Sequence, residues 1–171
     1  TNSDLANIKI AKEMGVTGVM QPFVRDHSDL ECVKEALREA GAEDIRLFAK
    51  IENMDGVRKL EELLPAADEI VIARGDLGNS VHLWDLPGVQ RQISEKCRAA
   101  GKPFMVVTQM LASMERSPVP TRAEVNDIFH AVMDGAASIM VTGETAVGDY
   151  PVEVIRYMVN TVRSAEKEEN R

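Results

Sequence analysis

The sequence predicts an α/β fold with a parallel sheet of about five strands, and three observations lead to this prediction. Short apolar runs alternate with helical stretches along the chain, which is the pattern of strand and crossover-helix units. Hydrophobic residues make up 44% of the 171 residues, enough to build one sizeable core. No stretch rich in glycine, proline or serine divides the chain, so we expect residues 1–171 to form a single domain. An open doubly wound sheet and about five-eighths of a β/α barrel both fit this pattern.

The first predicted unit is a loose helix that ends at Gly15, followed by a strand over residues 16–24. The next helix is marked more clearly. Ser28 and Glu31 have the Ser-x-x-Glu spacing of a capping box, and apolar residues follow at helical intervals up to Gly41.

A second strand is predicted over residues 45–51, because this run is apolar and is followed by polar residues. The helix after it covers residues 57–64 and is ended by Pro65, which cannot continue a helix. A short apolar run over residues 69–73 then predicts the third strand.

The second half of the chain repeats this arrangement. A helix over residues 88–100 precedes a fourth strand over residues 103–108. Thr121 and Glu124 form another capping box, which predicts the start of the helix before the fifth strand at residues 137–141.

The chain is predicted to finish with a helix. Pro151 lies where the first turn of a helix tolerates proline. The charged residues 167–171 at its end are expected to be a solvated tail.

Composition excludes several classes of protein. The net charge of −8 opposes binding to nucleic acid, whereas a local site can still bind a small anion. No apolar run approaches the roughly 20 residues that cross a membrane. Cys32 and Cys97 are far from other ligand-type residues and are expected to be free thiols, so we expect a cytoplasmic protein.

Lys50 and Glu52 are the first candidate site residues. Period-two alternation places them on one face at the end of the second strand, which is otherwise apolar. A lone Lys-x-Glu is more often a simple ion pair that closes a strand. The next strand favours a functional interpretation.

The third strand also ends in charged residues, in the sequence Arg74-Gly75-Asp76. If the two strands are neighbours, Glu52 and Asp76 converge, and two carboxylates together with substrate oxygens can hold Mg²⁺. Alternation places Arg74 and Asp76 on one face, and the amides of Gly75 and Asp76 could receive a carboxylate or phosphate.

Two further strands finish in polar residues. Thr108 follows the fourth strand, and Thr142 and Glu144 follow the fifth. In parallel β/α folds ligands bind at the carboxyl ends of strands, so four successive polar ends predict a site.

These residues resemble the motifs of the pyruvate kinase family in order and in spacing. The matching segments are Lys50-Ile51-Glu52-Asn53, Ala73-Arg74-Gly75-Asp76-Leu77-Gly78, Thr108-Gln109-Met110-Leu111, Pro120-Thr121-Arg122-Ala123-Glu124 and Thr142-Gly143-Glu144-Thr145-Ala146. A chance match at five places is implausible, and the resemblance covers nearly the whole chain. It implies the carboxyl-terminal five-eighths of a TIM-type β/α barrel.

The resemblance implies transfer of phosphate from phosphoenolpyruvate to ADP, giving pyruvate and ATP in the last step of glycolysis. Lys50 matches the catalytic lysine, and Glu52 and Asp76 match the Mg²⁺ ligands. Gly75, Asp76 and Thr108 match residues that bind the substrate carboxylate, and Thr108 also matches the threonine implicated in protonating the enolate. Arg74 is assigned to supporting the loop, with a role in a subunit contact as an alternative.

The departures from the family pattern also carry expectations. The family's K⁺ ligands, a substrate-binding arginine and the cap domain belong to the first three barrel strands, which the sequence does not contain. We therefore expect the chain alone to be a deficient kinase. Pro22 stands where the family often has serine, and residues 79–84 differ from the family's usual continuation after Gly78.

Two alternatives remain open. A magnesium-dependent lyase or aldolase acting on pyruvate-like enolates would also use a Glu and an Asp on neighbouring strands. A non-catalytic half-barrel would instead bind a partner through its unpaired strand edges. Those edges lead us to expect a homo-oligomer, or association with the missing barrel strands.

Overall fold

The computed structural model describes residues 1–169, at whose centre lies a five-stranded parallel sheet. The strands are β1 (Gly18–Gln21), β2 (Arg46–Ile51), β3 (Glu69–Ala73), β4 (Phe104–Val107) and β5 (Ser138–Met140). All five predicted strands are confirmed; β3 has the predicted bounds, and the other four are shorter than predicted, β1 most of all. β1 ends before Pro22 because proline has no N–H to donate to a neighbouring strand.

The order of the strands decides between the two predicted architectures. The order is β1-β2-β3-β4-β5, and every neighbouring pair is parallel. A doubly wound sheet reverses its strand order at a switch point, whereas a β/α barrel places each new strand beside the preceding one. The described strands follow one another without reversal, so they form five consecutive strands of a TIM-type barrel.

Helices connect the strands. They are α1 (Asn2–Ala11), α2 (His27–Glu39), α3 (Met54–Arg58), α4 (Leu60–Leu63), α5 (Arg74–Leu77), α6 (Leu86–Ala99), α7 (Arg122–Met133), α8 (Gly143–Ala146) and α9 (Pro151–Glu169), with a 3₁₀ turn at Ala112–Glu115. The predicted start of the last helix at Pro151 is confirmed. The last two residues of the predicted tail, Asn170 and Arg171, lie outside the described residues. Among the helices of residues 1–169, none is both long and apolar enough to cross a membrane.

One predicted capping box is confirmed and the other is wrong. Thr121 and Glu124 exchange side-chain and backbone hydrogen bonds at the start of α7. At the start of α2 the cap is Asp26, whose carboxylate accepts hydrogen bonds from the backbone N–H and the hydroxyl of Ser28. A charged carboxylate beside the positive end of a helix is a better acceptor than the serine hydroxyl, so Asp26 occupies the cap position.

The predicted helix over residues 57–64 is two short helices, α3 and α4, which meet at Lys59. α3 begins early because the side-chain oxygen of Asn53 accepts a hydrogen bond from the backbone N–H of Gly56 at 2.9 Å. Gly56 is buried, and a Cβ atom added there would lie 2.6 Å from the carbonyl oxygen of Val24. This close approach brings the segment after β1 against the segment after β2.

The main core lies between the sheet and the helices. Alternate strand residues point into it and are buried: Leu47, Ala49, Ile51, Ile70, Ile72, Phe104 and Val106. The opposite face of the sheet carries a smaller cluster of Val71, Ala73 and Val107 with the partly buried Phe48, Met105 and Met140. In a closed barrel this inner face is filled by layers of side chains from all eight strands.

Candidate functional site

Polar residues gather where the strands end, at one edge of the sheet that we call the rim (residues 50–53, 74–78, 108–111 and 142–144). Ile51 pairs with Ile72 in the neighbouring strand, and Ala73 pairs with Val107. Because the strands are parallel and in register, the residues that follow these pairs lie at the same edge. The structure therefore brings the four predicted polar ends to one side of the molecule.

Lys50 and Glu52 form an ion pair at the end of β2. Their Nζ and Oε1 atoms are 2.8 Å apart, and the Glu52 side chain is only 3% exposed. The second oxygen of Glu52 accepts a hydrogen bond from the backbone N–H of Phe23 at 2.7 Å. A carboxylate this deeply buried needs such partners, because an unpaired buried charge is strongly destabilising. Glu52 thus joins Lys50 to the segment that follows β1.

The prediction that Arg74 and Asp76 share a strand face is wrong. Residues 74–77 form α5, a single helical turn that begins directly after β3. Helical geometry separates the two side chains, so that Arg74 is mostly buried whereas Asp76 is exposed. Within residues 1–169 the Asp76 carboxylate has no hydrogen-bond or ion-pair partner, which leaves its oxygens available to a ligand.

Gly75 of α5 lies against Thr108 at the end of β4. A Cβ atom added to Gly75 would be 3.1 Å from Cγ2 of Thr108 and 3.6 Å from its hydroxyl oxygen. Glycine at this position lets the backbone of α5 approach the threonine closely. Two of the predicted substrate-binding residues are therefore neighbours.

The backbone at the rim is strained. Thr108 has a φ of 84° and Gln109 a φ of 54°, and Phe23, which contacts the rim through Glu52, has a φ of 51°. The left-handed region is unfavourable for residues with a side chain, and most unfavourable for a β-branched residue such as threonine. Conformations of this kind cost on the order of 1–3 kcal/mol each and persist only where surrounding contacts enforce them.

Arg74 provides contacts of this kind. Its Nη2 and Nε groups donate to the carbonyl oxygen of Thr108 at 2.7 and 3.2 Å. Its Nη1 group donates to both carboxylate oxygens of Asp127, on α7, at 2.9 and 2.7 Å. The guanidinium group thereby connects α7 to the strained turn after β4.

Glu144 holds the same turn from the other side. Its side chain is buried, and it accepts hydrogen bonds from the backbone N–H groups of Thr142 at 2.7 Å and of Leu111 at 3.2 Å. The carboxylate therefore connects the end of β5 to the end of β4, while Thr142 is exposed.

The rim offers carboxylate oxygens of the kind that bind a magnesium ion. Mg²⁺ prefers oxygen ligands and is usually bound by one or two carboxylates together with substrate phosphates and water. Asp76 has free oxygens, and the oxygens of Glu52 can each accept a further partner beside Lys50 and the Phe23 amide. Among residues 1–169 there is no group of three or more His, Cys, Asp or Glu side chains placed to hold a metal ion.

Two contacts at the rim are not predicted from the sequence. Asp127 lies in the middle of an amphipathic helix and has no charged neighbour that indicates a link to Arg74. The amide of Phe23 reaches Glu52 only because Phe23 adopts a positive φ, for which the sequence offers no glycine or asparagine as a signal.

The two cysteines lie away from the rim and are free thiols, in agreement with the sequence. Cys97 is buried in α6, and burial raises the pKa of its thiol to about 12. A thiol with so high a pKa is almost entirely protonated at neutral pH and is a poor nucleophile.

Comparison with known proteins identifies the family. The family model for the barrel domain of pyruvate kinase matches residues 1–155. Pyruvate kinase of Bacillus licheniformis is 42% identical over 167 residues, which are 98% of this chain and 28% of the relative. Pyruvate kinase of Dictyostelium discoideum is 43% identical over 166 residues, 97% of this chain and 32% of the relative.

A third relative, pyruvate kinase of Clostridium acetobutylicum, is 39% identical over 170 residues, 99% of this chain and 36% of the relative. The chain thus spans about a third of the length of the curated relatives it matches. Since the family model matches far more than half of its residues, this chain belongs to the pyruvate kinase family.

Proposed function

We propose that this chain carries the phosphoenolpyruvate and Mg²⁺ site of a longer enzyme that transfers phosphate from phosphoenolpyruvate to ADP, giving pyruvate and ATP. The supporting observation is the arrangement of the rim. The ion pair of Lys50 and Glu52, the turn α5 and Thr108 follow consecutive strands. These are also the residues that match the family's motifs.

Lys50 has the position and charge to act on the transferred group. Its side chain is one-quarter exposed, and its ammonium group is paired with Glu52. A fixed positive charge beside the phosphoryl group stabilises negative charge that develops on its oxygens in the transition state. Because Glu52 already orients the ammonium group, little reorganisation is needed when the substrate binds.

The turn α5 and Thr108 would bind the other end of the substrate. Gly75 and Asp76 are exposed residues, and their amides and the nearby Thr108 hydroxyl would be donors for a carboxylate. We further propose that the Thr108 hydroxyl, through a water molecule, delivers the proton that converts the enolate to pyruvate. Arg74, Thr142 and Glu144 would have supporting roles, since they hold the ends of β3, β4 and β5.

Glu52 and Asp76 would hold Mg²⁺, which when bound neutralises charge on the substrate oxygens and makes the enolate a better leaving group. K⁺ would act in the complete enzyme, through ligands that this sequence does not contain. Phosphoenolpyruvate and ADP would be the substrates of the complete enzyme. The isolated chain would be a deficient kinase. We also propose that residues 1–171 form one domain, the carboxyl-terminal five-eighths of the barrel, in a cytoplasmic protein.

Substitution of Lys50 distinguishes this function from the alternative enzyme. A magnesium-dependent aldolase does not need a lysine beside a phosphoryl group, so Lys50→Ala would abolish ATP formation in the complete enzyme but would spare an aldolase.

A non-catalytic half-barrel is favoured by one observation, the partly exposed apolar inner face of the sheet. We expect this face and the unpaired edges of β1 and β5 to make the isolated chain self-associate or bind the missing strands.

The first test is calorimetric titration of the chain with phosphoenolpyruvate in the presence and absence of Mg²⁺. We expect Mg²⁺-dependent binding that Glu52→Gln and Asp76→Asn each weaken, because each removes one charged ligand of the ion. Glu61→Gln is the matched control, since Glu61 is an exposed carboxylate of α4 that pairs with Lys96, which lies outside the rim.

The second test measures ATP formation from phosphoenolpyruvate and ADP by the complete enzyme that contains this segment. A complete enzyme that neither binds phosphoenolpyruvate nor forms ATP would contradict the proposed function. If Glu52→Gln and Asp76→Asn bind phosphoenolpyruvate as tightly as the unchanged chain does, only the proposed metal site is contradicted.

A further inference from the structure

We infer that Asp127 is a positioning residue for the proton transfer, because through Arg74 it holds Thr108 in the strained conformation that places its hydroxyl beside Gly75. Neither the family motifs nor the sequence pattern assigns a role to Asp127. The inference rests on the proposed function, in which Thr108 delivers a proton to the enolate.

The geometry of Arg74 makes its two sets of contacts interdependent. A guanidinium group is planar and carries five N–H groups in fixed directions. When Nη1 faces both oxygens of Asp127, the plane of the group is set, and Nη2 and Nε then point at the Thr108 carbonyl oxygen. Without the carboxylate, the long arginine side chain can rotate, and the carbonyl loses two aligned donors.

Arg74 is well suited to transmit this effect. Its side chain is 13% exposed, so water competes little for its N–H groups, whereas that of Asp127 is 34% exposed. Arg74 also immediately precedes Gly75, which lies against the Thr108 side chain. One residue therefore fixes both the carbonyl of Thr108 and the backbone that its side chain contacts.

The backbone conformation determines where the threonine hydroxyl lies. With a φ of 84°, Thr108 places its side chain against α5 instead of continuing the alternation of β4. Relaxation to a negative φ would swing the Cβ atom, and the hydroxyl with it, away from Gly75. A proton donor that is displaced in this way loses its catalytic effect even though the residue is still present.

The step concerned is a simple proton transfer. The third carbon of the enolate gains a proton, the new C–H bond forming while an O–H bond of the relayed water molecule breaks, and solvent restores that proton. In the reverse direction pyruvate loses a methyl proton to form the enolate. Exchange of the pyruvate methyl protons with deuterated water, followed by NMR, therefore measures this step without phosphoryl transfer.

The experiment compares four variants of the complete enzyme. Asp127→Asn removes the charge, Asp127→Glu restores it, and Arg74→Lys keeps a cation but removes the planar fork. Asp149→Asn is the matched control. Both carboxylate oxygens of Asp149 accept hydrogen bonds from one arginine nitrogen, Nη1 of Arg116, at 3.0 and 3.1 Å, as those of Asp127 do from Arg74. Thermal unfolding of each variant shows whether it is folded.

A positioned proton donor typically contributes on the order of 10²–10⁴ to the rate, so we expect Asp127→Asn to slow methyl proton exchange at least about tenfold. Arg74→Lys should slow it similarly, and Asp127→Glu should recover part of the loss. The concentration of Mg²⁺ needed for half-maximal activity should stay within about twofold, since the metal ligands are untouched. The Asp149→Asn control should exchange protons at the wild-type rate.

Three results would overturn the inference while leaving the proposed function intact. The first is exchange in folded Asp127→Asn at the wild-type rate, and the second is an equal loss in Asp149→Asn. The third is a wild-type enzyme that forms ATP but does not exchange methyl protons. A wild-type enzyme that neither forms ATP nor binds phosphoenolpyruvate would overturn the proposed function itself, and the role of Asp127 with it.

Discussion

Replacement of Gly56 by alanine tests the packing that joins the segments after β1 and β2. The added Cβ atom would lie 2.6 Å from the carbonyl oxygen of Val24, a contact shorter than van der Waals distance. That carbonyl cannot move freely. It accepts a hydrogen bond from the Asn53 side chain at 3.2 Å, and the Val24 amide donates to the Lys50 carbonyl at 3.2 Å.

The expected change in the free energy of unfolding combines three effects. Alanine gains about 1 kcal/mol over glycine from helix propensity. Overpacking in a buried site costs about 1–3 kcal/mol, and loss of the Asn53 hydrogen bond costs about 1 kcal/mol. We therefore expect Gly56→Ala to destabilise the protein by about 2 kcal/mol, which corresponds to a fall in Tm of about 4–8 °C.

Urea unfolding followed by circular dichroism measures this change, and Gly88→Ala provides the matched control. Gly88 is an exposed residue of α6, and a Cβ atom added there would meet nothing within 4 Å. The same substitution should therefore stabilise the protein by about 0.5–1 kcal/mol at Gly88. If both variants shift stability in the same direction by the same amount, steric contact at Val24 is not the cause.

Two further predictions concern the cysteines and the cap of α2. Because burial raises the pKa of Cys97 to about 12, iodoacetamide should modify the exposed Cys32 in the native protein and Cys97 only after unfolding; equal labelling by mass spectrometry would contradict this. The Ser28 hydroxyl and the Lys59 ammonium group lower the pKa of Asp26 to about 2, below its unfolded value of about 3.9. The stability that Asp26 provides is thus present above about pH 4 and is lost as the pH falls through about 2, so Asp26→Asn should show a weaker fall in urea midpoint over this range. Identical pH profiles for both proteins would refute the assignment.

The central part of the fold follows directly from local sequence. The strand at Glu69–Ala73 has the predicted bounds, and all five of its residues are buried. The prediction of Thr121 as a helix cap is also correct, since the residues that form the capping box lie within one helical turn. Errors arise where two local signals compete, as at Asp26 and Ser28, or where a proline shortens a strand.

The rim is only partly predictable, for a different reason. The ion pair of Lys50 and Glu52 follows from strand alternation, because both residues belong to one short segment. The same rule fails at Arg74, where the strand gives way to the turn α5. The contact between Arg74 and Asp127 depends on how α7 packs beside β3 and β4, and no local sequence pattern predicts that packing.

The sequential order of the strands has a consequence for how the chain can fold during synthesis. Each strand pairs with the one made immediately before it, as Gly18 with Arg46 or Met105 with Ser138, so no strand must wait for a partner from a distant part of the chain. A growing sheet of this kind can gain one βα unit at a time as the ribosome releases it. The edge of the newest strand is then exposed until the next unit emerges and pairs with it.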